Sequence, residues 1–140
     1  MKRTISVFIA VVTLIFSSNV TLAADLQPYA SLTLSRHYAQ AFSGDSRGEI
    51  IIDFNVQSSK LSSTIGVESI DFYTEDGDYV TSVSGTTSNG LVKVNTVQYS
   101  NEFPYDLPSG NSYYAEVTLF ARVGSEYDNY TVTTSTVWVS

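Results

Sequence analysis

His37 is the only histidine in the 140-residue chain, and the sequence holds no cysteine. A Ser-His-Asp relay needs a histidine between a nucleophile and an orienting acid. Serine and aspartate are plentiful, yet no nucleophile elbow or other organised serine motif accompanies His37. It stands between Arg36 and Tyr38 in the polar phase of a strand-like run and reads as a surface histidine. One histidine without thiols is also a poor start for a zinc site, and thiol chemistry is excluded outright. The run "EDGD", Glu75 to Asp78, concentrates carboxylates as a calcium loop would. Calcium takes about six to eight oxygens at set spacing, and no second ligand segment lies nearby. The run therefore reads as a solvated turn, with weak calcium binding left open. Glu68 and Glu116 are the acids within strand-like runs that a glycosidase could pair across a cleft. Glu116 falls on the polar phase of its run, and a small β domain offers little cleft. No catalytic residue, metal ligand or cofactor follows from these residues, and binding residues stay unassigned.

Ten tyrosines are the most suggestive feature. Rings of this kind stack on sugar faces and anchor interfaces with an apolar body and a polar tip. Tyrosine also suits a half-buried strand for purely structural reasons. Tyr73, Tyr79, Tyr99, Tyr105, Tyr127 and Tyr130 fall in polar phase or near turns, so several are expected at the surface.

The elements that must carry these residues alternate with period two. Ile50, Ile52, Phe54 and Val56 share one face of "GEIIIDFNVQ", with Asp53, Asn55 and Gln57 on the other; a strand half-buried on a core has this spacing. A first strand runs over "PYASLTLSRHYAQAF", with Ala30, Leu32, Leu34, Tyr38 and Phe42 in phase and a break near Arg36-His37. "STIGVESIDFY" and "DYVTSV" flank the Asp76-Gly77 turn, and "LVKVNTVQYS" follows Asn89-Gly90; both dipeptides favour the positive φ of hairpin turns. "SYYAEVTLFARV" places Tyr113, Ala115, Val117, Leu119 and Ala121 together, and "NYTVTTSTVWVS" closes the chain with Val132 and Trp138. Seven antiparallel strands predict an all-β, immunoglobulin-like sandwich. "LPSGNSYYAEV" is similar to the tyrosine corner of fibronectin type III domains, with Tyr113 or Tyr114 as the corner residue.

Ahead of these elements, Lys2 and Arg3 precede an apolar run from Ile5 to Phe16, and Thr21-Leu22-Ala23 supplies small residues. This order is that of a secretory signal peptide cleaved after Ala23. The run is shorter than the roughly 20 residues that span a bilayer as a helix. Residues 1–23 are thus the expected leader and residues 24–140 one secreted domain, with no membrane span once the leader is removed. Cleavage removes two positive charges and no acid, taking the net charge from −7 to −9. Such a field disfavours nucleic acid and anionic lipid as partners. A cysteine-free exported domain of this size can still bury enough apolar surface to fold.

The runs "STIGVESIDFYTEDGDYV" and "GNSYYAEVTLFARVGSEYDNYTVTTSTV" resemble a group of small secreted proteins, mainly from Gram-positive bacteria, whose function is uncharacterised. The shared features are Ile65-Gly66-Val67, Ile70, Phe72 and Tyr73 before a glycine turn. Tyr113 or Tyr114, Ala115, Val117, Phe120 and Ala121 follow, then Thr133-Thr134-Ser135. That group often has tyrosine where Phe120 stands, and a more glycine-rich loop than "GSEYDNY". The resemblance implies a secreted immunoglobulin-like β-sandwich and transfers no catalytic residue.

The expected function is a non-enzymatic extracellular binding domain that contacts cell-surface glycan or protein through loops or exposed tyrosines. The loops are "FSGDSRG", "TEDGDY", "SNEFPYDLPSG" and "VGSEYDNY", since binding residues concentrate on loops held by a rigid scaffold. The alternative is a secreted bacteriocin- or toxin-like β-sandwich.

Overall fold

The computed structural model describes residues 33–140, so the leader, Ala23, Ala30 and Leu32 lie outside the described residues. Seven strands follow one another: β1 (Leu34–Ser43), β2 (Glu49–Thr74), β3 (Tyr79–Ser84), β4 (Val92–Asp106), β5 (Asn111–Val123), β6 (Glu126–Thr133) and β7 (Val137–Val139). All pairings are antiparallel. They form one sheet, ordered β1-β2-β5-β6, with β3 and β4 added to β2 and β7 to β5. The sheet curls into a half-barrel.

The curl comes from β2. Its first part pairs with β1 on one edge and with β4 on the other. Its later part pairs with β5 and with β3. The β4 ladder slips between Gln57 and Ser62, and the β5 ladder slips between Val67 and Ser69. Bulges of this kind bend and twist a strand. "GEIIIDFNVQ" and "STIGVESIDFY", which the sequence suggests as separate strands, are therefore two arms of one 26-residue strand. Gly66 sits at the bend with φ +148, and a Cβ there would lie 2.1 Å from the Leu91 carbonyl oxygen. Only glycine lets the two backbones approach so closely.

The inner face is apolar along its length. Ile50, Ile52, Phe54 and Val56 of the first arm are fully buried, as are Ile65, Val67, Ile70 and Phe72 of the second. From β5 come Tyr113, Ala115, Val117, Leu119 and Ala121, as the alternation predicts. Each large side chain buried in this way contributes about 1.5–3 kcal/mol. Phe72 stacks on Tyr105 at 5.0 Å between ring centres, and Phe54 meets Tyr99 edge-on at 5.5 Å. Tyr99 and Tyr105 thus face inward.

Two local features depart from the sequence pattern. The β1–β2 register shifts between Leu34 and Arg36, which reverses the phase of everything after it. Ala39 and Ala41 turn inward, whereas Tyr38 and Phe42, expected in phase with Leu34, are exposed. The C-terminal run divides at Thr134. The Thr134 amide donates to the Ala115 carbonyl at 2.8 Å, and its hydroxyl accepts from the Ala115 amide at 3.0 Å. The side chain replaces a ladder partner, and the chain leaves β6 to begin β7 against the start of β5.

Strands β1 and β6, the two ends of the β1-β2-β5-β6 path, meet without a ladder. His37 stacks on Tyr130 with ring centres 4.0 Å apart, and an Asp128 carboxylate oxygen accepts from the Leu34 amide at 3.1 Å. His37 is exposed, as the sequence suggests, although the register sets it opposite the buried Val56. It is a seam residue at the open rim.

Near the bend, Ser62 is fully buried and its hydroxyl has no partner among the described residues. Ser62→Ala should therefore be neutral or stabilise by up to about 1 kcal/mol, since it removes an unmade hydrogen bond. Gly66→Ala should cost about 2–4 kcal/mol through strain and backbone collision. Urea unfolding of both variants against the parent checks the pair, and equal midpoints would contradict this account of the bend.

Candidate functional site

The Asp76-Gly77 turn joins β2 to β3 and is held by its own backbone. The Gly77 amide donates to the Thr74 carbonyl at 2.9 Å, and the Thr74 amide to the Asp78 carbonyl at 2.9 Å. The Asp78 amide also donates to the Thr74 hydroxyl at 3.1 Å. Gly77 supplies the positive φ, +91. The Glu75 amide reaches sideways to the Ser112 carbonyl at 3.0 Å and ties the turn to β5.

Beside this turn, a second one leads into β5. Gly110 takes φ +82, and its amide donates to the Val139 carbonyl at 2.7 Å. The buried Tyr113 hydroxyl donates to the Pro108 carbonyl at 2.8 Å. Of the two adjacent tyrosines, Tyr113 therefore makes the bond back to the turn, and Tyr114 faces the other way. Short β7 lies against this start of β5, with Trp138 opposite Ser112.

A recess of about 300 Å³ results, lined by Glu75, Asp76, Asp78, Asn111, Ser112 and Trp138, with Thr74 and Gly110 completing it. Trp138 is 58% exposed. Among the described residues, no Lys or Arg lines this recess. Its acceptors are carboxylates, its neutral donors are Asn111 and Ser112, and its apolar wall is an indole.

The same outer face continues into an aromatic row. Tyr73 stands opposite both Tyr79 and Tyr114 in the ladders. Its ring stacks on Tyr114 at 5.3 Å and meets Tyr79 edge-on at 5.9 Å. Tyr79 is 61% exposed. One step further along, Asp71 lies directly opposite Glu116. Like charges opposed across a ladder are mutually unfavourable, so this pair does not add to sheet stability. The Ser69 hydroxyl donates to Asp71 at 3.3 Å. Burial raises the Tyr73 hydroxyl above the ordinary tyrosine range, and the carboxylates of Glu116 and Asp71 push it further in the same direction.

The structure brings together residues that the sequence treats separately. The "TEDGDY" and "YDLPSG" loops, Tyr73, Tyr79, Tyr114 and Glu116 share one end of one face. Glu68 is elsewhere: its carboxylate accepts from the Tyr127 hydroxyl, and Tyr127 also carries Arg122 over its ring at 5.1 Å. Burial and that bond to Glu68 raise the Tyr127 hydroxyl as well. Glu68 and Glu116 do not face each other across a cleft. Among the described residues, no three Asp, Glu or His side chains converge as a metal site would require. Sequence reasoning missed Trp138, Asn111 and Ser112 as lining residues. The tryptophan in an otherwise β-branched terminal run was the available signal.

No protein-family profile and no curated protein sequence matches the chain. Among solved structures, a family 76 glycoside hydrolase from a bovine Bacteroides thetaiotaomicron strain is similar over 75% of this chain and 20% of its own, at 14% identity and a TM-score of 0.45. The chain thus spans about one fifth of that protein, and a likeness at this level carries no argument about activity. Among the described residues, no helix is long and apolar enough to cross a membrane.

The Tyr73 environment has a measurable consequence. The folded state holds this proton more tightly than the unfolded chain does, so the associated stability is complete below the ordinary tyrosine pKa. It is lost as pH rises through the higher folded value. In a carbon-13 tyrosine titration, Tyr73 should ionise above the ordinary tyrosine range. Asp71→Asn or Glu116→Gln should move it downward. A Tyr73 transition indifferent to both changes would refute the electrostatic reading of this face.

Proposed function

We propose that this chain is an extracellular, non-enzymatic glycan-binding domain, exported by a leader cleaved after Ala23. Its ligand would lie along the outer face from Trp138 past Tyr114, Tyr73 and Tyr79. The observation that carries the reading is the exposed indole beside a recess of carboxylate, amide and hydroxyl groups. Sugars combine apolar ring faces with hydroxyls that donate and accept. An aromatic wall takes the former, and hydroxyl-to-carboxylate bonds, being charge-assisted, take the latter strongly. The carboxylates disfavour an anionic ligand, so neutral glycans are the class that fits.

The face is open, which supports binding over hydrolysis. Asp71 and Glu116 are neighbours on a sheet surface, whereas a glycosidase sets its two acids on either side of the scissile bond. We read the curled sheet as a variant of the immunoglobulin-like sandwich. Supporting this are seven antiparallel strands and the Tyr113 bond to Pro108.

The test is a glycan array probed with residues 24–140, followed by calorimetry on the hits. Trp138→Ala should weaken binding by about tenfold or more, as loss of a central aromatic anchor does, and Tyr79→Ala by less. Silence on a broad neutral-glycan array, or full binding by both variants, would overturn the proposal.

A further inference from the structure

The other outer face of the half-barrel carries a second recess, of about 550 Å³, lined by Arg36, Tyr38, Asp53, Phe54, Asn55 and Ser100. Its volume falls within the roughly 300–1,000 Å³ typical of small-ligand sites. It lies mid-face, away from the turns, on β1, the first arm of β2, and β4. The ladders set three rows across these strands. Arg36, Gln57 and Gln98 form one, Tyr38, Asn55 and Ser100 the next, and Gln40, Asp53 and Glu102 the third. Arg36 and Asp53 are four residues apart along the strands, about 13–14 Å at strand rise, the length of a short oligosaccharide.

The side chains are fixed but not used up. Tyr38 is 41% exposed, and its hydroxyl donates to the Gln40 side chain, which pins the ring to the face. The Asn55 carbonyl oxygen accepts from the Gln98 amide at 3.4 Å, leaving the Asn55 amide nitrogen as a donor. The Arg36 guanidinium and Asp53 carboxylate make no side-chain hydrogen bond or ion pair among the described residues. The pair Lys60–Glu126, at 3.7 Å, shows that this chain does form surface ion pairs where geometry allows.

From these observations we infer a second, independent ligand site here, and its ligand class is a neutral oligosaccharide. A peptide added as a strand would bind at the outer edge of β1 or β4, beside the recess and not in it, because β2 at its centre is paired on both sides. Recognition must come from side chains. They comprise one ring, a fork of five N–H donors, a carboxylate acceptor, and an amide and a hydroxyl that can serve the vicinal hydroxyls of a pyranose. With Arg36 at one end and Asp53 at the other, the recess has no net charge to attract an anion. The inner faces of the two arms belong to one core cluster, and the two recesses on the outer faces share no lining residue. A polysaccharide at each would make the domain a bridge between chains, with the gain in avidity that two tethered sites provide.

The site stands on its own residues and shares only the ligand class with the reading above. It is tested by amide NMR of residues 24–140 titrated with neutral hexasaccharides of β-1,4-glucan, β-1,4-mannan, β-1,4-xylan and α-1,4-glucan at millimolar concentrations. At least one should shift the Tyr38, Asn55 and Ser100 amides. Tyr38→Ala and, separately, Arg36→Ala should each weaken those shifts by roughly tenfold, while Trp138→Ala leaves them unchanged. Shifts here without shifts near Trp138 would sink the first reading and keep this one. No response at Tyr38, Asn55 and Ser100 from any probe would overturn the inference. So would shifts that survive both substitutions, or tighter binding of a hexagalacturonate than of every neutral probe.

Discussion

One strand holds the molecule together. β2 belongs to both halves of the half-barrel, and its two arms contribute eight of the fully buried apolar side chains. Because the chain does not leave the sheet between Glu49 and Thr74, the halves cannot separate without breaking its ladders. The bend needs a residue without a side chain where β2 passes the Leu91 carbonyl, and Gly66 is that residue. Closure on the opposite side is weaker. It consists of the His37–Tyr130 stack and the Asp128 carboxylate on the β1 backbone, with no β1–β6 ladder. The structure is therefore strong along β2 and lightly fastened at the seam.

This arrangement determines what the surface can do. Each arm turns one face inward and leaves the other to solvent, and the curl points those outer faces apart. The Trp138 recess is built where two tight turns and β7 converge on the start of β5, so its groups stand on bonded backbone. Preorganisation of this kind lowers the ordering cost of binding. Among the described residues, the acids around it have no cationic neighbour in the recess, and the opposed Asp71 and Glu116 add to the same field. Such a surface repels polyanions and accepts hydroxyl donors.

Much of this was legible in the residues, for identifiable reasons. Strict alternation in "GEIIIDFNVQ" and "SYYAEVTLFARV" gave their buried faces correctly, because both are interior strands covered on one side. The Asp76-Gly77 and Asn89-Gly90 turns were readable since positive φ demands particular residues. Alternation misleads wherever a bulge intervenes, as after Leu34, where one slipped residue sends Tyr38 and Phe42 outward. The union of two runs into one strand was also hidden. The segment between them, "SSKLS", looks like a loop but stays extended through an irregular ladder. The candidate site was half visible: its tyrosines and acids stood out by type. Their meeting with Trp138 depends on β7 pairing with the start of β5, a contact that no local pattern encodes. The second recess was invisible for the same reason, since its residues come from three separate strands.

The central physical claim is that the two arms of β2 form one cooperative body that holds both outer faces rigidly. Native-state hydrogen exchange tests this most directly. The amides of Ile52 and Phe54 in the first arm, and of Ile70 and Phe72 in the second, should share one opening free energy equal to that of global unfolding. If one arm opened well below the other, the halves would be separate units and the account would fail.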